Sequence, residues 1–361
     1  MRRRWLYETM DLCLMCKACK AECPSNVDMA KLKAEFLQAY YEGRPRPVGH
    51  WLMAHIYQLN RLGAWAAPLL NRLQRAPFLR RLVEATTGID RRRSLPPFRA
   101  RHFRRWFTKH QAQHAESPGP KVLLLDDCFS TYNEPQIAKA AVGVLEAAGC
   151  TVELAGLTCC GRPLISKGYL SEAQALVYAP APRLADRLRD GTPLLGLEPS
   201  CLLTLADEWR ELHPGRETEH IAEAAVLADA WLARQVKTGA STLSLKARRE
   251  HCVLHPHCHQ RALVGATGSA DALRLIPDLE VTVLDASCCG MAGSFGFEKE
   301  HYDLSVQIAN LALLPALTET PDATVVAPGT SCRHQIHDLA QRRALHPLEM
   351  LAGQLNQAPL I

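Results

Sequence analysis

Twelve of the fourteen cysteines in this 361-residue chain fall into three groups, and two of these groups repeat one pattern. The pattern is a single cysteine, then an adjacent Cys-Cys-Gly, then another single cysteine. It comprises Cys128, Cys159, Cys160 and Cys201 in the first copy, and Cys258, Cys288, Cys289 and Cys332 in the second. The second copy keeps this register while the intervening sequence diverges. We therefore predict that both copies surround the same kind of inorganic centre.

The third group lies near the N-terminus, where Cys13, Cys16, Cys19 and Cys23 precede Pro24 with the spacing C-x2-C-x2-C-x3-C-P. This spacing is typical of a loop around a [4Fe-4S] cluster, whereas zinc sites usually pair two C-x2-C units across a longer insertion. In two-cluster ferredoxins the last cysteine of such a run ligates the other cluster, and the sequence contains no second run of this kind. Cys23 therefore either completes a lone cluster or belongs with a half-motif on another polypeptide.

The two Cys-Cys-Gly groups are the rarer signal. Side chains of adjacent cysteines leave the backbone in different directions, so a pair suits two irons of one polynuclear cluster better than one metal ion. Gly161 and Gly290 follow the pairs and permit a close backbone approach and unusual dihedral angles. A vicinal disulfide or buried unligated thiols are the alternative, which two pairs in register with flanking cysteines make less favourable. We expect one cluster in each repeat.

Short apolar runs alternate with amphipathic segments around both cysteine groups, which predicts a parallel α/β sheet in each repeat. Each expected strand ends shortly before a cysteine, at residues 121–127, 151–154 and 193–197 in the first copy and 252–254, 281–284 and 324–327 in the second. Loops beyond the carboxyl ends of parallel strands gather in one crevice. The cysteines of each repeat are therefore expected to meet there.

The N-terminal third is predicted to be helical. Residues 26–43 should form a helix capped by Asn26 and stopped by Gly43. Its apolar face is expected to consist of Met29, Leu32, Phe36 and Tyr40. Residues 49–82 are predicted to form amphipathic helices with arginines on the polar side, and the Ser-Pro-Gly-Pro sequence at 117–120 is the clearest linker.

These patterns divide the chain into four expected units of an α/β protein. A small helical ferredoxin-like domain with a [4Fe-4S] cluster should occupy residues 1–48, and a basic amphipathic helical segment residues 49–116. Two repeated α/β domains with parallel sheets should then occupy residues 121–215 and 250–350.

Charge is distributed unevenly along the chain. Residues 1–110 contain 22 Lys and Arg against 8 Asp and Glu, whereas the remainder contains 20 against 29. A basic arm of this size favours an acidic protein partner, a quinone site near the membrane or an anionic membrane surface, and no aromatic platform or known module indicates nucleic acid. No apolar run reaches the ~20 residues that span a bilayer, and no signal-length apolar stretch follows the arginines at 2–4. We expect a cytoplasmic protein that can associate with the inner face of the membrane.

Three histidines surround one of the repeated cysteines. His255, His257 and His259 lie within three residues of Cys258 and could ligate metal, hydrogen-bond to a sulfide or relay protons. With Cys258 as the expected ligand, supporting roles are favoured, and His259 is the best placed.

Two arginines closely follow cysteines of the repeats. Arg162 and Arg333 are expected to offset the charge of a cluster or to bind a carboxylate, with ordinary surface arginines as the alternative. Cys150 and Cys252 fit neither cysteine pattern and are predicted to be core thiols.

The sequence from the N-terminal cysteine motif through both repeats resembles the iron–sulfur region of FAD-linked D-2-hydroxyacid dehydrogenases, most nearly the long fused enzymes of the D-2-hydroxyglutarate dehydrogenase type. More distantly similar are the iron–sulfur protein of glycolate oxidase and the CCG-containing components of anaerobic glycerol-3-phosphate dehydrogenase and heterodisulfide reductase. The resemblance covers nearly the whole chain. It implies two CCG domains that pass electrons from a reduced flavin towards a quinone or another acceptor.

The chain departs from this family pattern in two respects. The CCG motif typically ends in C-x-x-C, but Glu198 and Gly329 occupy the first of these positions, so each repeat has four cysteines rather than five. Four thiolates suffice for a conventional cluster, whereas the non-cubane cluster of heterodisulfide reductases is put in doubt. A second N-terminal motif and an FAD domain are also missing from the sequence.

We therefore expect an iron–sulfur electron-transfer subunit, or the C-terminal part, of an FAD-linked D-2-hydroxyacid dehydrogenase. One [4Fe-4S] cluster is expected at the N-terminal motif and one in each repeat, with FAD on a partner chain. The sequence shows no nucleophile–base constellation, so no substrate-oxidising site is expected on this chain. The alternatives are a stand-alone CCG reductase resembling heterodisulfide reductase and a zinc-stabilised scaffold without redox activity.

Overall fold

Two four-stranded parallel sheets form the framework of the molecule. The computed structural model describes residues 3–113 and 119–356. The strands are β1 (Lys121–Leu124), β2 (Thr151–Leu154), β3 (Leu194–Gly196), β4 (Ala225–Leu227), β5 (Glu250–Leu254), β6 (Leu279–Val283), β7 (Thr324–Val326) and β8 (Ala344–Leu345). The first sheet has the order β2-β1-β3-β4 and the second the order β6-β5-β7-β8, with parallel pairing throughout. The two sheets therefore have the same topology, which confirms the predicted α/β repeats.

The strands expected from the sequence all form, within a few residues of their predicted positions. β4 and β8 were not expected, and β4 lies beyond residue 215, the predicted end of the first repeat. Each of these two short strands pairs with only one neighbour, β3 or β7, and completes its sheet at one edge.

Helices precede the sheets and connect their strands. Before the first sheet these are α1 (Arg4–Asp11), α2 (Ala18–Glu22), α3 (Met29–Tyr41), α4 (Val48–Ala54), α5 (Ile56–Trp65), α6 (Ala67–Leu73), α7 (Pro77–Thr87) and α8 (Phe103–Gln113). The first repeat contains α9 (Cys128–Tyr132), α10 (Pro135–Ala147), α11 (Arg162–Ser166), α12 (Leu170–Tyr178), α13 (Ala181–Leu188), α14 (Pro199–Ala206), α15 (Glu208–Leu212), α16 (Arg216–Ala224) and α17 (Ala228–Lys237). The second contains α18 (Cys258–Leu263), α19 (Thr267–Leu273), α20 (Tyr302–Leu311), α21 (Leu313–Glu319), α22 (Thr330–Ala340) and α23 (Pro347–Ala352), with a short 3-10 helix at Phe295–Phe297.

The helix predicted at residues 26–43 forms as α3, but its cap was predicted wrongly. Asp28 caps the helix by accepting hydrogen bonds from the backbone N–H groups of Ala30 and Lys31, whereas Asn26 lies in the preceding turn with a positive φ of 55°. Gly43, with φ of 73°, follows the end of the helix as expected.

The buried face of α3 also differs from the predicted apolar stripe. Ala30, Lys33, Ala34, Leu37 and Tyr41 are buried, whereas Leu32 is 51% exposed. The small alanines allow close packing on the first repeat, and the Lys33 ammonium donates to the backbone carbonyl oxygens of Asp11 and Cys13. A polar contact and small residues therefore determine which face of this helix is buried. The spacing of large apolar residues, on which the prediction was based, does not show either feature.

The helical segment predicted at residues 49–82 forms as α4 to α7. Of the predicted linker at 117–120, Ser117 and Pro118 lie outside the described residues. No helix in the described ranges is both long and apolar enough to cross a membrane.

One apolar core is shared by the two repeats. Val122 and Cys150 of the first repeat belong to the same buried cluster as Cys252 and Leu254 of the second. The helices pack across the junction in matching pairs, α10 on α23 and α17 on α19. Cys150 and Cys252 are both fully buried in this core, where burial raises the pKa of each thiol to about 11. Both cysteines therefore lie where core thiols were predicted.

Candidate metal centres

The four cysteines of the first repeat meet at the carboxyl ends of its strands. Cys128 begins α9 after β1, Cys159 and Cys160 follow β2, and Cys201 lies in α14 after β3. All four are buried, and their thiols interact in series, Cys128 with Cys159, Cys159 with Cys160, and Cys160 with Cys201. The fold therefore brings together cysteines that are far apart in sequence.

The second repeat has the same arrangement. Its cysteines follow the equivalent strands and interact in the same order, Cys258 with Cys288, Cys288 with Cys289, and Cys289 with Cys332. His255 joins this group, because a ring nitrogen and the Sγ atoms of Cys289 and Cys332 lie within 4.8 Å of one another. His255 is fully buried, and neither ring nitrogen bonds to an oxygen or nitrogen atom of the described chain.

The glycines after each cysteine pair adopt the left-handed conformation that was expected of them. Gly161 has φ of 88° and Gly290 has φ of 87°. The turn directs the backbone N–H of Gly161 to Cys159 Sγ and that of Gly290 to Cys288 Sγ, both at 3.4 Å. A Cβ at Gly290 would lie 2.3 Å from the carbonyl oxygen of Ser305. N–H donors to sulfur, and glycines that let other backbone segments approach closely, suit a site for a sulfur-ligated cluster.

Acidic residues adjoin the cysteines of the first repeat. Asp127 precedes Cys128 and caps α9, and burial raises the pKa of its carboxyl to about 6. Glu198 caps α14 and accepts a hydrogen bond of 2.7 Å from the backbone N–H of Thr330 in the second repeat. The hydrogen bond with Cys160, burial and the charges of Asp127 and Glu198 hold the pKa of Cys201 well above its usual range.

Histidines adjoin the cysteines of the second repeat. His257 precedes Cys258 as Asp127 precedes Cys128, and a Cβ at Gly329 would lie 2.3 Å from His257 Cδ2. The imidazole thus occupies the space that a side chain at position 329 would need, and a cysteine does not fit there. The hydrogen bond with Cys288, together with the charge of the nearby His257, lowers the pKa of Cys258 to about 7 despite burial. Hydrogen-bonding interactions with Cys288, Cys332 and His255 hold the pKa of Cys289 well below its usual range.

The N-terminal cysteine loop faces the second repeat. Burial and then the charges of Cys258, Cys13 and Cys19 raise the pKa of Cys16, so Cys16 lies close to Cys258. Cys23 has different surroundings, because backbone N–H groups at residues 25–27 lower its pKa and no other cysteine acts on it within the described ranges. Cys13, Cys16 and Cys19 thus share one environment, and Cys23 stands apart from it.

Two contacts hold this loop on the two repeats, one contact on each. Neither contact was predicted from the sequence. Lys17 is buried with a positive φ of 63°, and its ammonium lies 2.7 Å from Asp207 and 2.8 Å from Glu208. On the other side, Nε2 of His259 hydrogen-bonds to the carbonyl oxygen of Met15 at 2.8 Å. His259, which was expected to support Cys258, therefore holds the N-terminal loop in place.

The two arginines near the cysteines are buried rather than exposed, which rules out the surface alternative. Arg162 pairs with Glu208 beside the N-terminal loop. Arg333 pairs with Glu134 of the first repeat at 2.6 Å and donates to the carbonyl oxygens of Ala327 and Pro328. Both bind a carboxylate of this chain itself.

The carbonyl of the second cysteine in each pair has its own donor, and neither donor was identified from the sequence. Trp209 Nε1 donates to the Cys160 oxygen at 2.8 Å, and Gln335 Nε2 donates to the Cys289 oxygen at 2.9 Å. Gln335 in turn accepts from the fully buried Arg93 at 2.6 Å. These residues have no fixed spacing from the cysteines, so no motif could have indicated them.

A charged cluster anchors α1 to the second repeat. His301 lies 3.1 Å from Asp11 and 2.9 Å from Glu298, which also pairs with Lys167. Although burial lowers it, the bonds to Asp11 and Glu298 raise the pKa of His301 to about 9. Two carboxylates and a histidine could hold a metal ion, but here the Lys167 ammonium supplies the positive charge.

Comparison with known proteins agrees with this architecture. The cysteine-rich domain family named CCG matches residues 122–206 and 252–337. The C component of anaerobic glycerol-3-phosphate dehydrogenase from Escherichia coli K12 is 32% identical over 335 residues, which cover 92% of this chain and 83% of that protein. The chain belongs to this family of CCG proteins.

Two further relatives extend the relationship. D-2-hydroxyglutarate dehydrogenase of the same E. coli strain is 27% identical over 95% of this chain, which corresponds to 34% of that longer enzyme. Lactate utilization protein A of an Exiguobacterium strain is 23% identical over 64% of this chain. Identity is higher with the glycerol-3-phosphate dehydrogenase component than with the fused enzyme, the reverse of the order expected from the motifs. These relationships support an iron–sulfur electron-transfer subunit of a dehydrogenase.

The cysteine sets fit iron–sulfur clusters. All fourteen cysteines lie in the described ranges and none forms a disulfide, so the vicinal disulfide considered for the pairs is absent. Each repeat offers four convergent thiols with N–H donors to sulfur, and all of them are buried except the partly exposed Cys258. The second repeat adds the buried imidazole of His255, whose nitrogens lack other partners in the described structure. Sulfur ligands with donors around them are the surroundings that such clusters use.

Proposed function

We propose that this chain is the iron–sulfur electron-transfer subunit of a flavin-dependent dehydrogenase. Cys128, Cys159, Cys160 and Cys201 would hold one [4Fe-4S] cluster, their counterparts in the second repeat another, and the N-terminal motif a third. The observation that carries the proposal is the convergence of four thiols beyond the carboxyl ends of the strands in both sheets. When bound, such clusters supply one-electron transfer.

The protein residues prepare these sites for a negatively charged group. Glycine turns direct N–H groups at cysteine sulfur, and Trp209 and Gln335 fix the backbone of the paired cysteines. Lys17 and His259 hold the N-terminal loop against both repeats. The three sites therefore belong to one rigid framework, which suits the transfer of electrons over fixed distances.

The partner would carry FAD and the substrate site. Relatives are named for glycerol-3-phosphate, D-2-hydroxyglutarate and lactate, which are small anions with a secondary hydroxyl group. We propose a substrate of this class, with a D-2-hydroxyacid as the first candidate, and a quinone or another acceptor for the electrons. The isolated chain should then oxidise none of these compounds with an artificial acceptor, and turnover by the isolated chain would contradict the assignment.

Iron and acid-labile sulfide in anaerobically purified protein test the cluster content directly. About twelve irons per chain are expected if all three groups hold four-iron clusters. About four irons would mean empty repeats and would overturn the proposal for this chain. Zinc in place of iron would support a structural scaffold instead.

The basic helical segment at residues 49–116, called the helical arm from here on, provides a candidate surface for an anionic membrane. Helices α4 to α7 carry large exposed apolar side chains, among them Trp65, which is 92% exposed, and Phe78, which is 75% exposed. Exposed arginines such as Arg61, Arg72 and Arg81 are interspersed with them. Exposed apolar side chains with basic neighbours favour binding at the interface of anionic lipid.

Sedimentation with lipid vesicles tests this surface. The wild type should sediment with vesicles that contain phosphatidylglycerol, and Trp65→Ser with Phe78→Ser should abolish most of this binding. Val264→Ser, which removes an exposed apolar side chain from the second repeat, is the matched control and should bind as the wild type does. Equal binding by the double variant would contradict membrane docking through the arm.

A further inference from the structure

A cavity of about 750 Å³ lies between the helical arm and both repeats. Eight arginines and two histidines contribute to its lining, against two glutamates. The arm supplies residues 71–99, the first repeat supplies Glu134, and the second supplies Thr330 and Arg333, on either side of Cys332. Its volume falls within the range of sites for small molecules, roughly 300–1,000 Å³.

The arginines of this cavity differ in whether a carboxylate neutralises them. Arg333 pairs with Glu134 at 2.6 Å and Arg92 with Asp90 at 2.7 Å. Arg75, Arg80 and Arg99 lie within 4 Å of no carboxylate among residues 3–113 and 119–356. The cavity therefore has an excess of positive charge that the described protein does not balance.

Arg80 is the most informative of these three residues. It is only 7% exposed, and its Nη2 donates to the carbonyl oxygens of Asp90 and Arg93 at 2.7 and 2.6 Å. Its Nη1 is buried and has no partner in the described structure. Burial of a guanidinium with an unused donor is unfavourable, and the carboxylates of Asp90, Glu84 and Asp338 act on Arg80 only from beyond 4 Å. An anion in the cavity would supply further negative charge to this guanidinium.

We propose that this cavity binds a small molecule with two or more anionic groups, such as a phosphate ester or a polycarboxylate. Guanidinium groups bind phosphate and carboxylate through paired hydrogen bonds. Arg75 and Arg99, which are exposed, would contact the ligand from the solvent side, and Arg80 would supply charge from within the protein. The ligand would lie beside the first turn of α22, which carries Cys332, yet the site needs no cluster to form.

Isothermal titration calorimetry of the full chain with pyrophosphate and, separately, with citrate tests this proposal. Saturable binding of at least one probe with a stoichiometry near one is expected. Arg75→Gln with Arg99→Gln should weaken binding at least tenfold, because each loses a charge-assisted hydrogen bond. Both side chains are exposed, so the variant should fold, which its unchanged thermal midpoint without ligand will show.

The matched control is Arg105→Gln, which removes an exposed arginine of the same basic arm that does not line the cavity. It should bind the probes as the wild type does. Absence of saturable binding by the wild type would overturn the proposal. An equal loss in the Arg105 variant would also overturn it, because the affinity would then come from net charge rather than from the cavity.

Discussion

The two repeats have the same fold but differ in the residues next to their cysteines, which are more acidic in the first repeat and richer in histidine in the second. Strand order and the placement of the four cysteines are the same in both. Asp127 adjoins the first set, His255 and His257 adjoin the second, and the charge of Glu198 acts on Cys201 and Cys332 alike. At the position of His255 the first repeat has Leu125. The duplicated fold thus preserves the positions of the cysteines, while neighbouring residues set the local charge.

This difference predicts an order of reduction potentials. The carboxylate of Asp127 would disfavour additional negative charge on a cluster held by the first repeat. The His255 ring beside Cys289 and the His257 ring beside Cys258 favour negative charge in the second repeat. We therefore expect the centre of the second repeat to have the higher potential and to be reduced first. The predictions that follow test the comparison.

Loss of a cysteine from either pair should produce the largest effect. Cys160→Ser and Cys289→Ser should each remove about four irons, from its own repeat only, because each site loses one of its four thiolates. Iron analysis and the spectrum of the remaining clusters measure this outcome. Cys150→Ala and Cys252→Ala, which alter the core thiols, should keep all the iron. Loss of iron from both repeats in one variant would show that the sites are not independent.

The donors to the paired cysteines should differ in their contribution to stability. Gln335→Leu should lower the free energy of unfolding by about 3 kcal/mol, because it removes the hydrogen bond to the Cys289 carbonyl and the acceptor of Nη1 of the buried Arg93. Trp209→Phe removes one such bond and some volume, at a cost of about 1.5 kcal/mol. Urea denaturation of both variants measures these values. A larger loss in the Trp209 variant would contradict the role of the Arg93–Gln335 pair.

His255→Leu should shift a potential without loss of iron. It gives the second repeat the residue found in the first, and the potential of its cluster should fall by roughly 40–60 mV, the equivalent of one hydrogen bond of about 1 kcal/mol. Potentiometric titration followed by electron paramagnetic resonance measures the shift, with Leu125→Met as the control. Loss of iron from the second repeat would instead identify His255 as a ligand.

The smallest effect concerns the attachment of the N-terminal segment, which Lys17 secures on the first repeat and His301 on the second. The pKa of His301 is raised from 6.5 to about 9, so its protonated form stabilises the fold. This contribution is complete below about pH 6.5 and is lost as the pH rises through about 9. His301→Gln should therefore lower the thermal midpoint at pH 6.5 but little at pH 9.5. An equal lowering of the thermal midpoint at both pH values would contradict this role of the protonated His301.

The cysteine motifs and the apolar pattern predicted the strands and cysteine positions of this protein, but not the side-chain contacts that hold the cysteine loops in place. The strands that deliver cysteines were predictable because each is a short apolar run followed by a cysteine. Cys258 and Cys332 could be assigned to one site because parallel strands end at one edge of a sheet. The short edge strands β4 and β8 were missed because they lack a long apolar run.

The missed residues act through contacts between distant segments. Lys17, Trp209 and Gln335 were not distinguishable from ordinary polar or core residues, since their partners lie elsewhere in the chain. The cap and buried face of α3 were predicted wrongly for the same reason. Local pattern suggested Asn26, whereas packing on the first repeat placed Asp28 at the cap.

The matched helix pairs across the junction have a consequence for how the two repeats pack. α10 precedes the second strand of its repeat as α19 does, and α17 follows the last strand as α23 does. The contacts of α10 with α23 and of α17 with α19 are therefore one contact made twice, as in an isologous dimer. A single repeat would expose half of the shared core, and pairing with a second copy of itself would cover it. The two repeats of this one chain thus pack on each other as the two subunits of an isologous homodimer do.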